Sequence, residues 1–201
     1  MHDERHIIER VLAGDAGAFR MFVESHHHLV FQFVRNMLRS IPDAEDLTQD
    51  VFVTAFLKLS TFDSRQAKVS TWLLTIARNR CCNHLKRRQS ETPGDVDSHD
   101  RGPLPEEAAS QQEVWQQLSM ALDSLPLDQR TAFVLAEIQE LPYTEIALIE
   151  EIEVGTVKSR VSRARERLRQ AMKAWKPEDR TDLQTRPAKK VCNSGETHEP
   201  G

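Results

Sequence analysis

The chain has 201 residues, of which 39% are hydrophobic, and 27 Lys and Arg stand against 31 Asp and Glu for a net charge of −4. That length and apolar share fit one domain or two small ones, with small cores rather than one large one, and the charge excludes a global polycation, so any nucleic-acid surface must be local. Cys81 and Cys82 adjoin while Cys192 lies far off in a polar tail, which gives no disulfide framework and no paired zinc ligands and fits a reducing cytoplasm. No apolar run approaches the ~20 residues of a membrane span, and the N-terminal residues lead into no secretory apolar core, so no membrane insertion is expected.

From Met1 to about Arg88 the apolar periodicity is helical throughout. Ile7, Ile8, Val11 and Leu12 form a first face that stops at Gly14, and Asp15 is placed to cap a helix carrying Phe19, Phe22 and Val23. His26, His27 and His28 follow; neighbours on a helix point about 100° apart, so three in a row do not face one metal, and they are expected to straddle a helix surface. Val30, Phe31, Phe33, Val34, Met37 and Leu38 continue a buried helix that ends before Pro42.

Asp43 is the expected cap of the next helix, which runs to Leu59. Leu47, Val51 and Ala55 share its inner face, while Glu45, Asp46, Gln49 and Asp50 gather opposite, beside Phe52 and Phe56. Acids next to exposable aromatics suit a protein-binding surface; equally, both rings are core and the acids serve the helix N-terminus. A polar loop, Thr61 to Ser70, leads to a helix from Thr71 to about Arg88 with Leu73, Leu74, Ile76 and Ala77 inward. Its far end is basic, with Arg78, Arg80, Lys86, Arg87 and Arg88, interleaved with Trp72, Asn79, Asn83 and His84. Cations mixed with aromatic and amide groups are what holds an unstacked single strand, since stacking on a ring contributes ~1–3 kcal/mol per base. A simply buried Trp72 is at least as good a reading.

Between Gln89 and Gln112 acids, prolines and glycines dominate, and the stretch is expected to be a flexible linker. Periodicity restarts with Val114, Leu118, Ala121 and Leu122, breaks at Pro126, and resumes in a helix expected to be capped by Asp128, with Ala132, Phe133, Leu135, Ala136 and Ile138 apolar. After Pro142 comes a short helix, a tight turn, and a second helix opening at Gly155-Thr156, where the Thr156 hydroxyl is the expected cap. On that second helix Val157, Val161, Ala164 and Leu168 make one apolar stripe. Lys158, Arg165 and Arg169 lie along one flank and Arg160, Arg163 and Arg167 along the other, with Ser159 and Ser162 between. Two rails of cations astride small polar side chains suit a helix in a DNA major groove, rails to phosphates and centre to base edges; a solvated basic face is the plainer alternative. Beyond Trp175 the tail is polar; Cys192 and His198 there could bind metal or sense redox state, but two candidate ligands are few for a metal site.

The stretch from Tyr143 to Met172, with its Val154-Gly-Thr-Val-Lys-Ser-Arg160 run, resembles the helix-turn-helix that closes bacterial sigma factors of the extracytoplasmic-function type, and the likeness extends over roughly Asp15 to Met172. The resemblance implies an all-α fold of two small helical domains: a sigma region-2-like bundle over 1–89, an acidic linker over 90–112 and a region-4-like helix-turn-helix domain over 113–175; the tail over 176–201 lies outside the resemblance and is expected from its polar composition to be disordered. It implies a protein that catalyses nothing, takes no cofactor, works in the cytoplasm, and binds core RNA polymerase and promoter DNA, both duplex and melted strand. An inhibitory anti-sigma partner is implied as well.

Residue by residue, the segment Asp43 to Phe52 is similar to the one that docks on the polymerase, which assigns Asp43, Glu45, Asp46, Gln49, Asp50 and Phe52 to that contact. Phe62, Asp63, Ser64, Arg65, Lys68 and Trp72, with Arg78, Asn79, Arg80, Asn83, Lys86, Arg87 and Arg88, correspond to the part that captures a flipped base of the melted upstream element, so that selection and melting are one event. Thr144, Thr156, Lys158, Ser159, Arg160, Ser162, Arg163, Arg165 and Arg167 correspond to the reader of the distal element. One departure stands in the turn, where the family usually carries Leu-Gly-Ile-Pro and this chain has Glu150-Glu151-Ile152-Glu153. Glu151 falls where glycine would accept a left-handed backbone, at a cost of about 1 kcal/mol. Two rivals remain at this point: a polymerase-independent dimeric helix-turn-helix regulator, and an enzyme built on Cys81-Cys82 or the histidine triplet, for which no nucleophile, base and orienting group occur at recognisable spacing.

Overall fold

A left-handed glycine sets the first corner. In the computed structural model, which describes residues 2–38, 40–91 and 117–174, α1 (His2–Leu12) gives way at Gly14, with φ of +90°, to α2 (Ala16–Met37). The expected cap is present: Asp15 accepts from the Ala18 amide at 3.1 Å, and Arg10 closes on the same carboxylate at 2.6 Å. The Arg10 guanidinium and the Ala18 amide hold the Asp15 carboxyl below its ordinary value. Along α2 the residues Phe22, His26, Val30 and Val34 recur every fourth position and are buried with Phe33 and Met37.

α3 (Ile41–Lys58) opens three residues earlier than a cap at Asp43 requires. Ser40 is the cap, its hydroxyl accepting from the Asp43 amide at 3.2 Å, and Pro42 sits in the first turn, where a missing N–H costs nothing. Ala44, Leu47, Thr48, Val51, Phe52 and Ala55 face inward. A single tight turn, Leu59–Thr61, and a loop lead to α4 (Val69–Glu91), longer at both ends than periodicity suggested because Val69 packs into the core. Its last two residues fall in the stretch read as linker; the remainder of that linker, the 176–201 tail, Cys192 and His198 lie outside the described residues.

The C-terminal part begins with α5 (117–123). α6 (Leu127–Phe133) follows Pro126, which stands at the cap position, so Asp128 lies in the first turn rather than capping it; there its charge still suits the positive helix end. α6 runs on into one wider π turn, Val134–Ile138. α7 (Tyr143–Glu150) and α8 (Val154–Ala174) complete the chain described.

The expectation of two small domains on a tether carries no statement about contact between them, and the structure supplies one. Ala132, Val134, Leu135, Ile146, Ile149, Val157 and Val161 belong to the same continuous apolar cluster as the cores of α2, α3 and α4. A smaller cluster, Ala121, Leu122, Leu125, Ala164 and Leu168, ties α5 to the outer half of α8. Among the described residues no helix is long and apolar enough to cross a membrane.

Candidate nucleic-acid interface

The α7–α8 corner is built around a backbone conformation that the sequence anticipates. Glu151 terminates α7 at φ 55° and ψ 44°, left-handed, and the Ile152 amide reaches back to the Ala147 carbonyl at 3.0 Å. α8 then starts at Val154, with the Glu153 carbonyl accepting from the Thr156 and Val157 amides. Thr156 therefore lies inside the first turn and is not the cap; two residues of helix precede it because the chain leaves the left-handed corner already turned for helix. Val157, Val161, Ala164 and Leu168 are all buried, which turns the opposite side of α8 to solvent.

The outward side is not uniformly free. Lys158, Arg163 and Arg167 are exposed and have no carboxylate partner among the described residues, and Ser162 is exposed between them. Ser159 is half-buried, its hydroxyl donating to the Thr156 carbonyl at 3.1 Å. Arg165 is paired with Glu137 at 2.6 Å and Arg169 with Glu166 at 2.7 Å. Arg160 is drawn inward, with Nη1 2.5 Å from Glu150 Oε2 and Nε 3.3 Å from Asp128. Thr144 is exposed in the first turn of α7.

A second basic surface follows the loop and outer face of α4. Phe62 and Trp72 are both half-buried and meet with ring centroids 5.3 Å apart, so Trp72 is neither sealed in the core nor a bare platform. Asp63 closes the loop by accepting from the Arg65 amide at 2.9 Å and from its guanidinium at 2.8 Å, contacts that hold its carboxyl well below the ordinary range. Ser64 and Arg65 are exposed at the loop tip. Asn79, Arg80, Asn83, Lys86, Arg87 and Arg88 line the exposed flank of α4. Arg80 donates to Thr54 at 2.7 Å and Arg88 pairs with Asp43 at 2.8 Å. Lys68 and Arg78 turn toward α7: Lys68 Nζ is 2.5 Å from Glu145 Oε1, and Arg78 Nε is 3.5 Å from Glu150 Oε1.

On α3, Glu45, Asp46, Gln49 and Asp50 are exposed, and Val53 (58%), Phe56 (49%) and Leu57 (74%) extend the same open side with apolar surface. Phe52 is buried, stacked 6.3 Å from His27, and Asp43 is tied to α4 through Arg88 and, at 3.9 Å, His84. The paired reading of Phe52 and Phe56 thus splits, one ring core and one ring half-open against Phe19 at 4.9 Å. The histidines split too: His26 is buried, with Nδ1 2.9 Å from the Phe22 carbonyl and Nε2 3.2 Å from Glu4, rather than on a surface.

Two acids organise this region: Glu145, which sequence reasoning passed over, and Glu150, which it read only as part of the acidic turn. Glu145 and Glu150 join α7 to α4, and the Glu150 side chain is wholly enclosed. Enclosure pushes the Glu150 carboxyl above its ordinary value while Arg78 and Arg160 pull it down, whereas Lys68 and Thr71 hold Glu145 below its own. A signal existed, since Ile146, Ile149 and Glu150 stand at i, i+3 and i+4 and so share the inward stripe.

Comparison with known proteins matches residues 22–91 to the sigma-70 region 2 model and residues 115–168 to the sigma-70 region 4 model. The ECF RNA polymerase sigma factor SigW of Bacillus subtilis is 32% identical over 178 residues, 83% of this chain and 95% of that protein. The ECF RNA polymerase sigma-E factor of Escherichia coli K12 is 36% identical over 172 residues, 80% of this chain and 89% of that protein. Among solved structures, the sigma factor RpoE in complex with the anti-sigma factor NepR from Bartonella quintana superposes with a TM-score of 0.59 at 28% identity, covering 78% of this chain and 99% of that one.

Proposed function

The chain belongs to the sigma factors of the extracytoplasmic-function type, and from that premise we propose how its surfaces divide the work. It directs RNA polymerase to initiate transcription and is not itself an enzyme. The open side of α3, with Glu45, Asp46, Gln49 and Asp50, docks on core polymerase, and Asp43 and Phe52 set it from behind. The loop from Phe62 to Lys68, the Phe62–Trp72 pair and the exposed flank of α4 from Arg78 to Arg88 hold the melted strand. α8 reads the distal element through Lys158, Ser159, Ser162 and Arg163, with Thr144, Thr156, Arg165 and Arg167 toward phosphates and Arg160 becoming available once released from Glu150. The domains span 1–89 and 113–175, with 90–112 as tether and 176–201 as tail.

The observation that carries this reading is α8 itself. Its apolar stripe is wholly committed inward, which leaves Lys158, Ser162, Arg163 and Arg167 outward with no competing acid partner among the described residues. A helix so arranged presents base-reading and phosphate-reading groups at once. The resemblance to RpoE in its complex with NepR supports an anti-sigma partner for this chain also, and a cytoplasmic site of action follows from work on polymerase. The test is Arg163→Ala in transcription assays with core polymerase: activity falls most at promoters with an intact distal element, and an equal fall at promoters lacking that element removes Arg163 from the reading role.

A further inference from the structure

The paired cations of α8 are held in different ways. Arg169 closes on Glu166, one turn back on its own helix, at 2.7 Å, whereas Arg165 reaches off the helix to Glu137, with Nη2 2.6 Å from Oε1. Glu137 belongs to the π turn Val134–Ile138, where the Gln139 amide reaches back five residues to the Val134 carbonyl at 3.0 Å. A turn widened in this way is rare and concentrates at working sites. Val134 and Leu135 are buried and anchor it, while Glu137 stays at the surface. The corner that follows is left-handed at Glu140, with φ of 53°, and delivers Tyr143 to the start of α7. There the Tyr143 hydroxyl faces the same guanidinium, so that Glu137 first, and Tyr143 after it, hold the Arg165 proton more tightly than usual.

An acid beside a phosphate-seeking cation either masks it or aims it, and the contacts separate the two cases. Masking engages the fork of the guanidinium from one whole edge, as on Arg169, whose Nε and Nη2 both go to Glu166. Glu137 offers one oxygen to one Nη2, and Arg165 remains 56% exposed. A guanidinium carries five N–H donors in a rigid plane, so a single anchored corner sets the plane and leaves donors for a second acceptor. Resting on the placement of Arg165 toward phosphates in the functional reading above, we propose that Glu137 is a positioning residue for distal-element binding, which with Tyr143 fixes the Arg165 guanidinium in the pose that meets a backbone phosphate of the duplex. An arginine on a free stem surrenders its rotamer freedom when DNA arrives; one already pinned surrenders less. Glu137 touches no DNA and acts through Arg165. The consequence runs against simple electrostatics. Removing an acid beside DNA ordinarily strengthens binding by relieving repulsion, whereas removing Glu137 weakens it.

The test uses the full chain with core polymerase on a duplex promoter, with affinity measured from about 50 to 200 mM salt. Losing one phosphate contact flattens the dependence of log affinity on log salt by about 0.9, which referred to 1 M salt is about an eightfold loss at 0.1 M. Arg165→Ala shows that change in full, Glu137→Ala most of it, and the double variant no more than Arg165→Ala alone. The loss is uniform across distal-element sequences, since phosphates are the same in all of them. Glu137→Gln keeps an acceptor oxygen in place and serves should the alanine variant unfold; it too weakens binding, while Glu151→Gln, which removes the same charge from an exposed residue of the neighbouring turn, strengthens it slightly. A gain on Glu137→Gln overturns the proposal, because Glu137 then masks Arg165. A loss with the salt slope unchanged, or losses from Glu137→Ala and Arg165→Ala that simply add, overturns it as well, because Glu137 then only braces the packing of α6 on α8. If Arg165→Ala changes neither affinity nor slope, the placement of Arg165 falls together with the proposal. If Arg165→Ala acts and the Glu137 variants do not, the proposal alone falls, and reading by α8 is judged separately in the Arg163→Ala assay.

Discussion

Replacing Glu151 by glycine isolates the one backbone strain that the α7–α8 turn imposes. Glu151 is exposed, forms no ion pair among the described residues, and holds φ 55° and ψ 44°. A residue with a side chain pays ~1–2 kcal/mol to sit there. Glycine removes that cost but widens the unfolded ensemble by ~0.4–1 kcal/mol. Removing a negative charge from the C-terminal end of α7 adds a few tenths of a kcal/mol in the favourable direction, roughly 0.3 kcal/mol at an exposed site. The net is a stabilisation of roughly 0.3–1.9 kcal/mol, which for a chain of this size raises the thermal midpoint by ~1–8 °C. Thermal and urea unfolding followed by circular dichroism measure it, with the urea slope unchanged. Glu151→Ala, which keeps the left-handed penalty, shows no such gain. A glycine variant that melts at or below the wild-type temperature refutes the strain argument.

Three further outcomes follow from particular residues. Asp50→Lys reverses the charge of the open α3 face and abolishes co-purification with core polymerase; undiminished co-purification removes the docking role. Trp72→Ala lowers transcription from fully paired promoters much more than from templates already unpaired at the upstream element, because ring contact with the base matters most when it must offset unstacking; equal losses on both templates argue against capture by the Phe62–Trp72 pair. Glu150, whose carboxyl is raised by burial, contributes stability that is full below the ordinary glutamate value and is lost as pH rises through its raised value. The stability of the wild type therefore declines relative to Glu150→Gln across that interval, and parallel curves throughout contradict the enclosed carboxylate.

Elements whose fate depends on one dominant local term were readable without coordinates. The Val157, Val161, Ala164, Leu168 stripe is buried as its spacing requires, the Gly14 stop and Asp15 cap form as their chemistry favours, and Glu151 takes the left-handed conformation that its place in the turn demands. Where two residues compete for one task, pattern does not choose. Ser40 and Asp43 can each cap α3, and the choice falls to Ser40 because Pro42 fits inside the first turn. Phe52 and Phe56 are one turn apart on α3, and only the packing of neighbouring helices decides which ring is enclosed: Phe52 joins the core beside His27, while Phe56 stays half-open against Phe19. The contact of α7 with α4 and the loop before it was the least readable feature. Lys68 and Glu145 are 77 residues apart, and helical periodicity assigns each a face without saying which faces meet. Glu150 was hidden for a related reason: it reads as part of an acidic turn, yet lies on the stripe defined by Ile146 and Ile149 and so is carried into the interior.

The most direct measurement is reconstituted transcription: core RNA polymerase, this chain, and a library of templates with randomised promoter sequence, with transcript starts read by sequencing. The account requires new starts that depend on the added chain, at asymmetric sites carrying two separated sequence elements. Absence of chain-dependent starts on every template, or enrichment of palindromic sites bound without polymerase, contradicts it.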